Sequence, residues 1–338
     1  MMNLHLDSNA FRVLIDHIHE RTGFRTDVLE KDYYVVLILK ELSELQHDGL
    51  AAYFKGGTAL YKALKTTNRF SEDIDLSVET RGCNRTQSDK RLEKASKKYT
   101  VLPRDSEKGF THRSEVMAVY NYVPITEFDQ EDALQRFGNV KVEATSFTIS
   151  EPVEDIEISA MLYEYATSAE QDIMRRQYGM EPFSVKTITL ERIFVDKLFA
   201  AEAYVRKSNE AKRAFEAAKH IYDLAILKTH PKIQTLLADE DQLKYLLEIR
   251  MREEVDRHDG VPYLAPAQFV FFDNAETDTN VRAAYEIMQR QYVLRTEDQI
   301  QYADAISALK SIREKLLKNP AWMQSTPPQG LLAGEENP

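Results

Sequence analysis

At 338 residues, 43% of them hydrophobic, the chain is long enough for about two domains with real cores and too apolar for disorder along its whole length. A single cysteine, Cys83, excludes an intrachain disulfide, and the longest apolar run, residues 33–39, falls far short of the ~18 to 20 residues of a membrane span. The net charge of −11 argues against a general nucleic-acid coat but leaves room for a local basic patch, and without a basic start and an apolar stretch at the N-terminus a cytoplasmic protein is expected.

Residues 8–46 read as helix. Phe11, Leu14, Ile15 and Ile18 recur at helical spacing, Gly23 interrupts, and 28–45 resumes with a denser apolar face. Within it, residues 33–39 taken alone have the pattern of a buried strand. Residues 51–54 form a short apolar run that enters a tight turn at Gly56-Gly57; 59–65 then reads helical, and 73–78 alternates like a strand. The segment 81–113 holds ten Lys/Arg against four acids, with little apolar periodicity, and is expected to be an exposed basic excursion between strands. Strands are expected at 116–123, 139–149 and 184–188. From 189 to about 318 the pattern is helical, apart from a Pro/Gly-punctuated stretch at 259–273. No internal repeat is present. The organisation is an α/β part over 1–185, a helical part over 186–318 and a flexible tail over 319–338.

The chemistry concentrates in Lys55-Gly56-Gly57-Thr58-Ala59-Leu60, followed by Arg69-Phe70-Ser71-Glu72-Asp73-Ile74-Asp75-Leu76. Two glycines ahead of a helix allow a sharp turn and a close approach to a ligand. The first amides of that helix point outward and, with its dipole, favour an anion; Thr58 adds a hydroxyl donor there. Asp73 and Asp75, two apart on a strand, face the same side. Like carboxylates on one face repel unless a cation lies between them, and hard oxygen ligands suit Mg²⁺ with substrate phosphates. Either half alone describes an ordinary turn or a solvated strand. Together they are what a nucleotide-using phosphoryl or nucleotidyl transferase needs.

The run KGGTALYKALKTTNRFSEDIDL resembles the signature of the nucleotidyltransferase superfamily with a DNA polymerase β type core, and more narrowly that of the AbiEii/AbiGii toxin family. The resemblance implies an α/β fold: a small mixed β-sheet core with flanking helices, plus a largely α-helical C-terminal domain. It implies Mg²⁺- or Mn²⁺-dependent transfer of a nucleoside monophosphate from an NTP, releasing pyrophosphate, to an acceptor such as the 3′ end of tRNA. The protein would then be a toxin held in check by a cognate antitoxin. Lys55, Gly56, Gly57, Thr58 and Arg69 would serve the nucleotide, and Asp73 and Asp75 the metal, joined by a third carboxylate on a later strand.

Glu143, on the polar face opposite Val142 and Ala144, is the candidate for that carboxylate, as ligand and general base; a solvated strand acid is the plain alternative. Lys197 sits inside the apolar stripe of Ile193, Phe194, Leu198 and Ala201, so it either snorkels or has an anionic partner. The resemblance, through the spacing Glu191 to Lys197, places it on the triphosphate. Lys219-His220-Ile221-Tyr222-Asp223-Leu224 resembles the family's R-H-x-Y-D-L, with lysine for arginine at 219. Asp223 is either a surface acid paired with Lys219 or the residue that orients Lys197 or the nucleotide. Arg69 either neutralises phosphate or pairs with Glu72. Glu30-Lys31-Asp32 resembles the family's E-K-D opening, where charge at a helix start is expected to act as a cap. The basic segment 81–113 carries about +6 from its ten bases and four acids and is expected to lie beside the cleft and hold an RNA acceptor, or else to be a solvated surface. Modification of a protein or small molecule, and a non-catalytic nucleotide-binding role, are the functional alternatives. No HExxH spacing or GxxxxGK[ST] loop occurs.

Overall fold

A computed structural model describes residues 2–112, 114–127, 137–256 and 266–317. Arg113, residues 259–265 and the tail from Asn319 lie outside the described residues. The chain divides into two units, residues 1–65 with 70–188, and residues 66–69 with 189 onward.

The first unit opens with helices α1 (Ser8–Thr22) and α2 (Thr26–His47). The apolar run 33–39 is helix, because α2 is buried on most of its circumference and its apolar residues therefore need no gaps between them. Glu30, Lys31 and Asp32 do not cap α2. They lie beyond its first turn, each about 1% exposed, and each holds a different segment. Glu30 accepts from the amides of Ile125 and Thr126, at 2.8 and 3.0 Å, and Lys31 donates to the Asn139 carbonyl. Asp32 pairs with the Lys62 ammonium at 2.7 Å and accepts from the Met161 amide. The buried charges act as tethers.

Strand β1 (Ala52–Lys55) runs into the short helix α3 (Gly56–Thr58), continued by a wider π-type turn over Ala59–Ala63. Then come β2 (Ile74–Val78), α4 (Arg85–Lys97), β3 (Arg104–His112), β4 (Glu115–Asn121), β5 (Asn139–Thr145), β6 (Val153–Ile158), α5 (Met161–Glu164), α6 (Ser168–Tyr178) and β7 (Phe183–Ile188). The strands form one mixed sheet in the order β3-β4-β5-β2-β1-β7-β6, with β2–β5 and β1–β7 parallel and the other pairs antiparallel. In β5 the buried Val140, Val142 and Ala144 alternate with half-buried Asn139, Lys141, Glu143 and Thr145. One sheet face is packed and the other is partly open.

Residues 81–113 depart from the expected excursion. They form helix α4, closed at its start by reciprocal bonds between Asn84 and Gln87, and the edge strand β3. Helix α4 lies on the packed face. The Tyr120 hydroxyl donates to the Ser96 carbonyl at 2.7 Å, the rings of Tyr99 and Tyr120 meet edge to face, and Lys97 reaches Thr111 at 2.9 Å. The exposed Lys90 and Lys94 on α4, and Lys98 at its C-cap, are therefore behind the sheet and not beside the face that carries Glu143.

In the second unit the helices are α7 (Leu190–Val205), α8 (Ala211–Leu227), α9 (Pro231–Leu236), α10 (Glu240–Asp256), α11 (Phe271–Thr277), α12 (Thr279–Tyr292) and α13 (Tyr302–Leu316). Helix α8 is central, packing on α7, α12 and α13 through Ala217, Ala218, Ile221, Tyr222 and Leu224. Residues 66–69 join this unit: Arg69 bridges Val293, and the Asn68 carbonyl accepts from the Leu294 amide at 3.0 Å. No described helix is long and apolar enough to cross a membrane.

Candidate active site

Strand register assembles the open face of the sheet. Lys55 on β1 is opposite Asp75 on β2, Asp75 is opposite Glu143 on β5, and Glu143 is opposite Met117 on β4. Side chains alternate along each strand, so these four residues point to the same side. The row one residue along, Phe54, Leu76, Ala144 and Val116, points into the packed core. Thus the carboxylate pair Asp75 and Glu143, 68 positions apart in sequence, become cross-strand neighbours through the parallel pairing of β2 with β5. Asp73 precedes the first residue of β2 by one position. Its Oδ2 lies 3.9 Å from the Lys141 ammonium, while its Oδ1 is sealed from solvent with no hydrogen-bond partner among the described residues. Across the described residues no three acidic, histidine or cysteine side chains gather around one point. The three carboxylates share a face and an edge rather than a closed cage.

The turn after β1 is shaped around Asp75. Gly56 has φ +78°, a conformation that favours glycine, and a Cβ there would stand 2.0 Å from the Asp75 Oδ2. The Asp75 carboxylate thus occupies the space that any side chain at 56 would claim. Gly57 follows, buried and without a positive φ. Thr58 differs from expectation: its hydroxyl donates to the Asp73 carbonyl and lies 3.0 Å from the Ser71 hydroxyl, so it fastens the turn to the start of β2 instead of standing free for phosphate. Lys55 extends along the open face, with its ammonium 3.2 Å from the Thr145 hydroxyl.

Within the helical unit, Asp223 on α8 is fully buried and holds two cations. The Arg69 guanidinium meets it with both prongs, Nε to Oδ1 at 3.0 Å and Nη2 to Oδ2 at 2.8 Å, and the Lys197 ammonium sits 2.9 Å from Oδ2. Burial alone would raise this carboxyl, but the two cations outweigh it and hold Asp223 well below the usual carboxylate range. Of the two accounts of Lys197, the anionic partner is what the structure contains. Asp223 is fully buried, so the surface-acid account of it fails, and Lys219 pairs with Glu216 at 2.8 Å. Beside the cluster, burial pushes the His220 imidazole well below its ordinary value, Lys197 pushes the same way and Asp223 opposes. A second buried charge cluster had no sequence expectation. Arg192 on α7 pairs with Asp196 at 2.9 Å and with Glu253 at 2.5 Å, and Arg250 pairs with Asp196, Glu253 and Glu254. In the sequence nothing marks it beyond the place of Arg192 next to Ile193 and Phe194.

A family model described as "Nucleotidyl transferase AbiEii toxin, Type IV TA system" matches residues 37–316. Among solved structures the chain is similar to MenT4, the nucleotidyltransferase toxin Rv2826c from Mycobacterium tuberculosis H37Rv, at 14% identity and a TM-score of 0.47, over 88% of this chain and 98% of that one. No curated protein matches the sequence.

Proposed function

The chain belongs to the AbiEii family of nucleotidyltransferase toxins of type IV toxin–antitoxin systems, and on that premise we propose that it transfers a nucleoside monophosphate from an NTP to an RNA acceptor, the 3′ end of tRNA, with Mg²⁺ or Mn²⁺ as cofactor and an antitoxin as its counterpart. The cytoplasm, which supplies both NTP and tRNA, is the setting this reading requires. One observation carries it: Asp75 and Glu143 are aligned side by side on the open sheet face, and the only residue type that fits beneath Asp75 is the Gly56 present.

The residues fit a divalent cation on chemical grounds. Asp73 presents a buried carboxylate oxygen with no hydrogen-bond partner among the described residues, and two further carboxylates share its face, an all-oxygen donor set of the kind Mg²⁺ takes. Asp73, Asp75 and Glu143 would hold the ion, which when bound offsets phosphate charge and lowers the pKa of a coordinated hydroxyl. The chain's own residues do the rest. Glu143 accepts the proton of the acceptor hydroxyl as its oxygen bonds to the α-phosphorus. The bond from that phosphorus to the bridging oxygen breaks, and pyrophosphate leaves. The Gly56–Thr58 turn receives phosphate oxygens on its amides, with Thr58 keeping the turn against β2. Lys55 offsets negative charge on the same face. In the helical unit Arg69 and Lys197 are the candidates for binding phosphate, and Asp223 fixes the direction of both side chains.

The test is transfer of label from each α-labelled NTP to total tRNA. The wild-type protein with Mg²⁺ is expected to label tRNA, and Asp75→Ala to abolish labelling while unfolding at the wild-type urea concentration. Wild-type-level labelling by Asp75→Ala would falsify the carboxylate assignment. Label that appears only in protein or small molecules would overturn the RNA acceptor.

A further inference from the structure

The row of side chains through the carboxylates does not end at Met117. Met117 is opposite Phe110 on β3, so register continues the line as Lys55, Asp75, Glu143, Met117, Phe110 across five strands. Phe110 lies at the sheet's edge, 48% exposed. Its neighbour Thr111 points the other way, to Lys97 of α4 on the packed face, which independently places Phe110 on the carboxylate side. With strands about 4.8 Å apart, the ring stands two strands, or roughly 10 Å, from Glu143 along the row.

A backbone device aims it there. The pairing of β3 with β4 shifts register between Asp105 and Gly109. Gly109 has φ +103°, and a Cβ on it would stand 2.4 Å from the Met117 carbonyl oxygen. A bulge of this kind re-aims the residues that follow it, and a slip of one position would turn Phe110 onto the α4 side. The strand is otherwise polar, and nothing in its sequence rewards an aromatic ring half in water. An edge strand normally avoids exposed apolar side chains.

We propose that Phe110, backed by Met117, is a stacking platform that binds a base near the 3′ end of a single-stranded RNA acceptor on the face that carries Asp75 and Glu143. The inference rests on the RNA-acceptor reading above. An aromatic face takes any base without hydrogen-bond readout, which suits a platform for an unpaired end. Charge on the same face favours a nucleic acid too, because Lys55 and Lys141 flank the carboxylates there. The lysines of α4, being behind the sheet, have no part in it.

The experiment measures steady-state transfer to total tRNA together with a binding signal. Phe110→Ala is expected to raise the KM for tRNA about tenfold, within the range that removal of one stacked aromatic gives, with kcat at saturating tRNA and the KM for NTP unchanged. Phe110→Trp is expected to restore the wild-type KM. The chain has one tryptophan, Trp322, so Trp322→Phe combined with Phe110→Trp leaves a single indole at 110. Its fluorescence is expected to fall on titration with a single-stranded oligoribonucleotide and to stay constant with the same sequence in a duplex. If the wild type labels tRNA and Phe110→Ala leaves its KM unchanged, the platform is disproved while the acceptor reading stands. A raised KM for NTP alone would assign the ring to the incoming nucleotide and overturn the proposal. Failure of the wild type to label any RNA removes the acceptor reading, and this inference with it.

Discussion

Asp75 and Glu143 stand side by side as like charges on a half-open sheet face, whereas Asp223 is fully buried with an arginine and a lysine upon it. In the first arrangement two carboxylates in register repel, and charges that solvent reaches contribute little to stability. The second is complete by itself, each charge answered at hydrogen-bond distance in a medium where an unanswered charge is costly. The contrast separates two kinds of charged site. One is a pair of like charges on a partly open face, with Lys55 next to it in the same row. The other is compensated inside the fold, with Lys197 and Arg69 both held on Asp223.

The sharpest break in that comparison is to delete the anion at each place. Asp223→Ala leaves two buried cations without it, and loss of one partner from a buried pair costs about 3–5 kcal/mol. A urea unfolding midpoint should register that whole loss. Asp75→Ala should stay within about 1 kcal/mol of wild type, as expected of a half-exposed strand position, while losing transfer. Equal stability losses in the two variants would show that the open-face carboxylates are structural.

A smaller effect is expected at the turn. Gly56→Ala incurs the left-handed backbone penalty of about 1–2 kcal/mol and also collides with the Asp75 carboxylate. In an Asp75→Ala background that collision is largely gone and only the backbone penalty remains. A double-mutant cycle in urea should therefore show coupling between positions 56 and 75; strict additivity would mean that the carboxylate does not rest over the glycine.

How far the sequence foretold these sites follows from what each depends on. The Asp73 and Asp75 strand was legible because β2 alternates, and Glu143 because Val140, Val142 and Ala144 mark the buried side of β5. The adjacency of Asp75 and Glu143 was not, since parallel register joins residues with no local signal between them. Strand β3 was invisible for a different reason. An edge strand exposed over nearly its whole length has no burial pattern to print into its sequence, and RDSEKGFTH reads as loop. Helix α4 left one trace that charge counting obscured, the Asn84 to Gln87 spacing of a reciprocal cap. The partner of Asp223 could not be read from Lys219 on its own helix, because Arg69 arrives from 154 positions away in the chain.

The least of the expected effects probes the closed cluster from its flank. His220 stacks on Tyr204 with ring centroids 5.4 Å apart, and its Nδ1 is sealed from solvent without a partner among the described residues. Burial and the Lys197 charge, reinforced by Lys219 and Arg69 against Asp223, hold its pKa well below 6.5 in the folded state. The unfolded chain takes up that proton near pH 6.5, and the folded chain does not. A group depressed in this way contributes stability that is present above pH 6.5 and is lost as pH falls through the unfolded value toward the folded one, by at most about 1.4 kcal/mol per pH unit. His5, also lowered by burial, adds in the same direction, so the reading must come from a difference. Unfolding free energies of wild type and His220→Phe, taken from pH 7.5 down to 5, should diverge in slope with the variant flatter. Asp223 keeps its own charge throughout that window, because its folded pKa is depressed and its contribution is lost only in stronger acid. Parallel slopes would mean that the folded protein protonates His220 freely, and the cluster beside Lys197 would then be wetter than its burial implies.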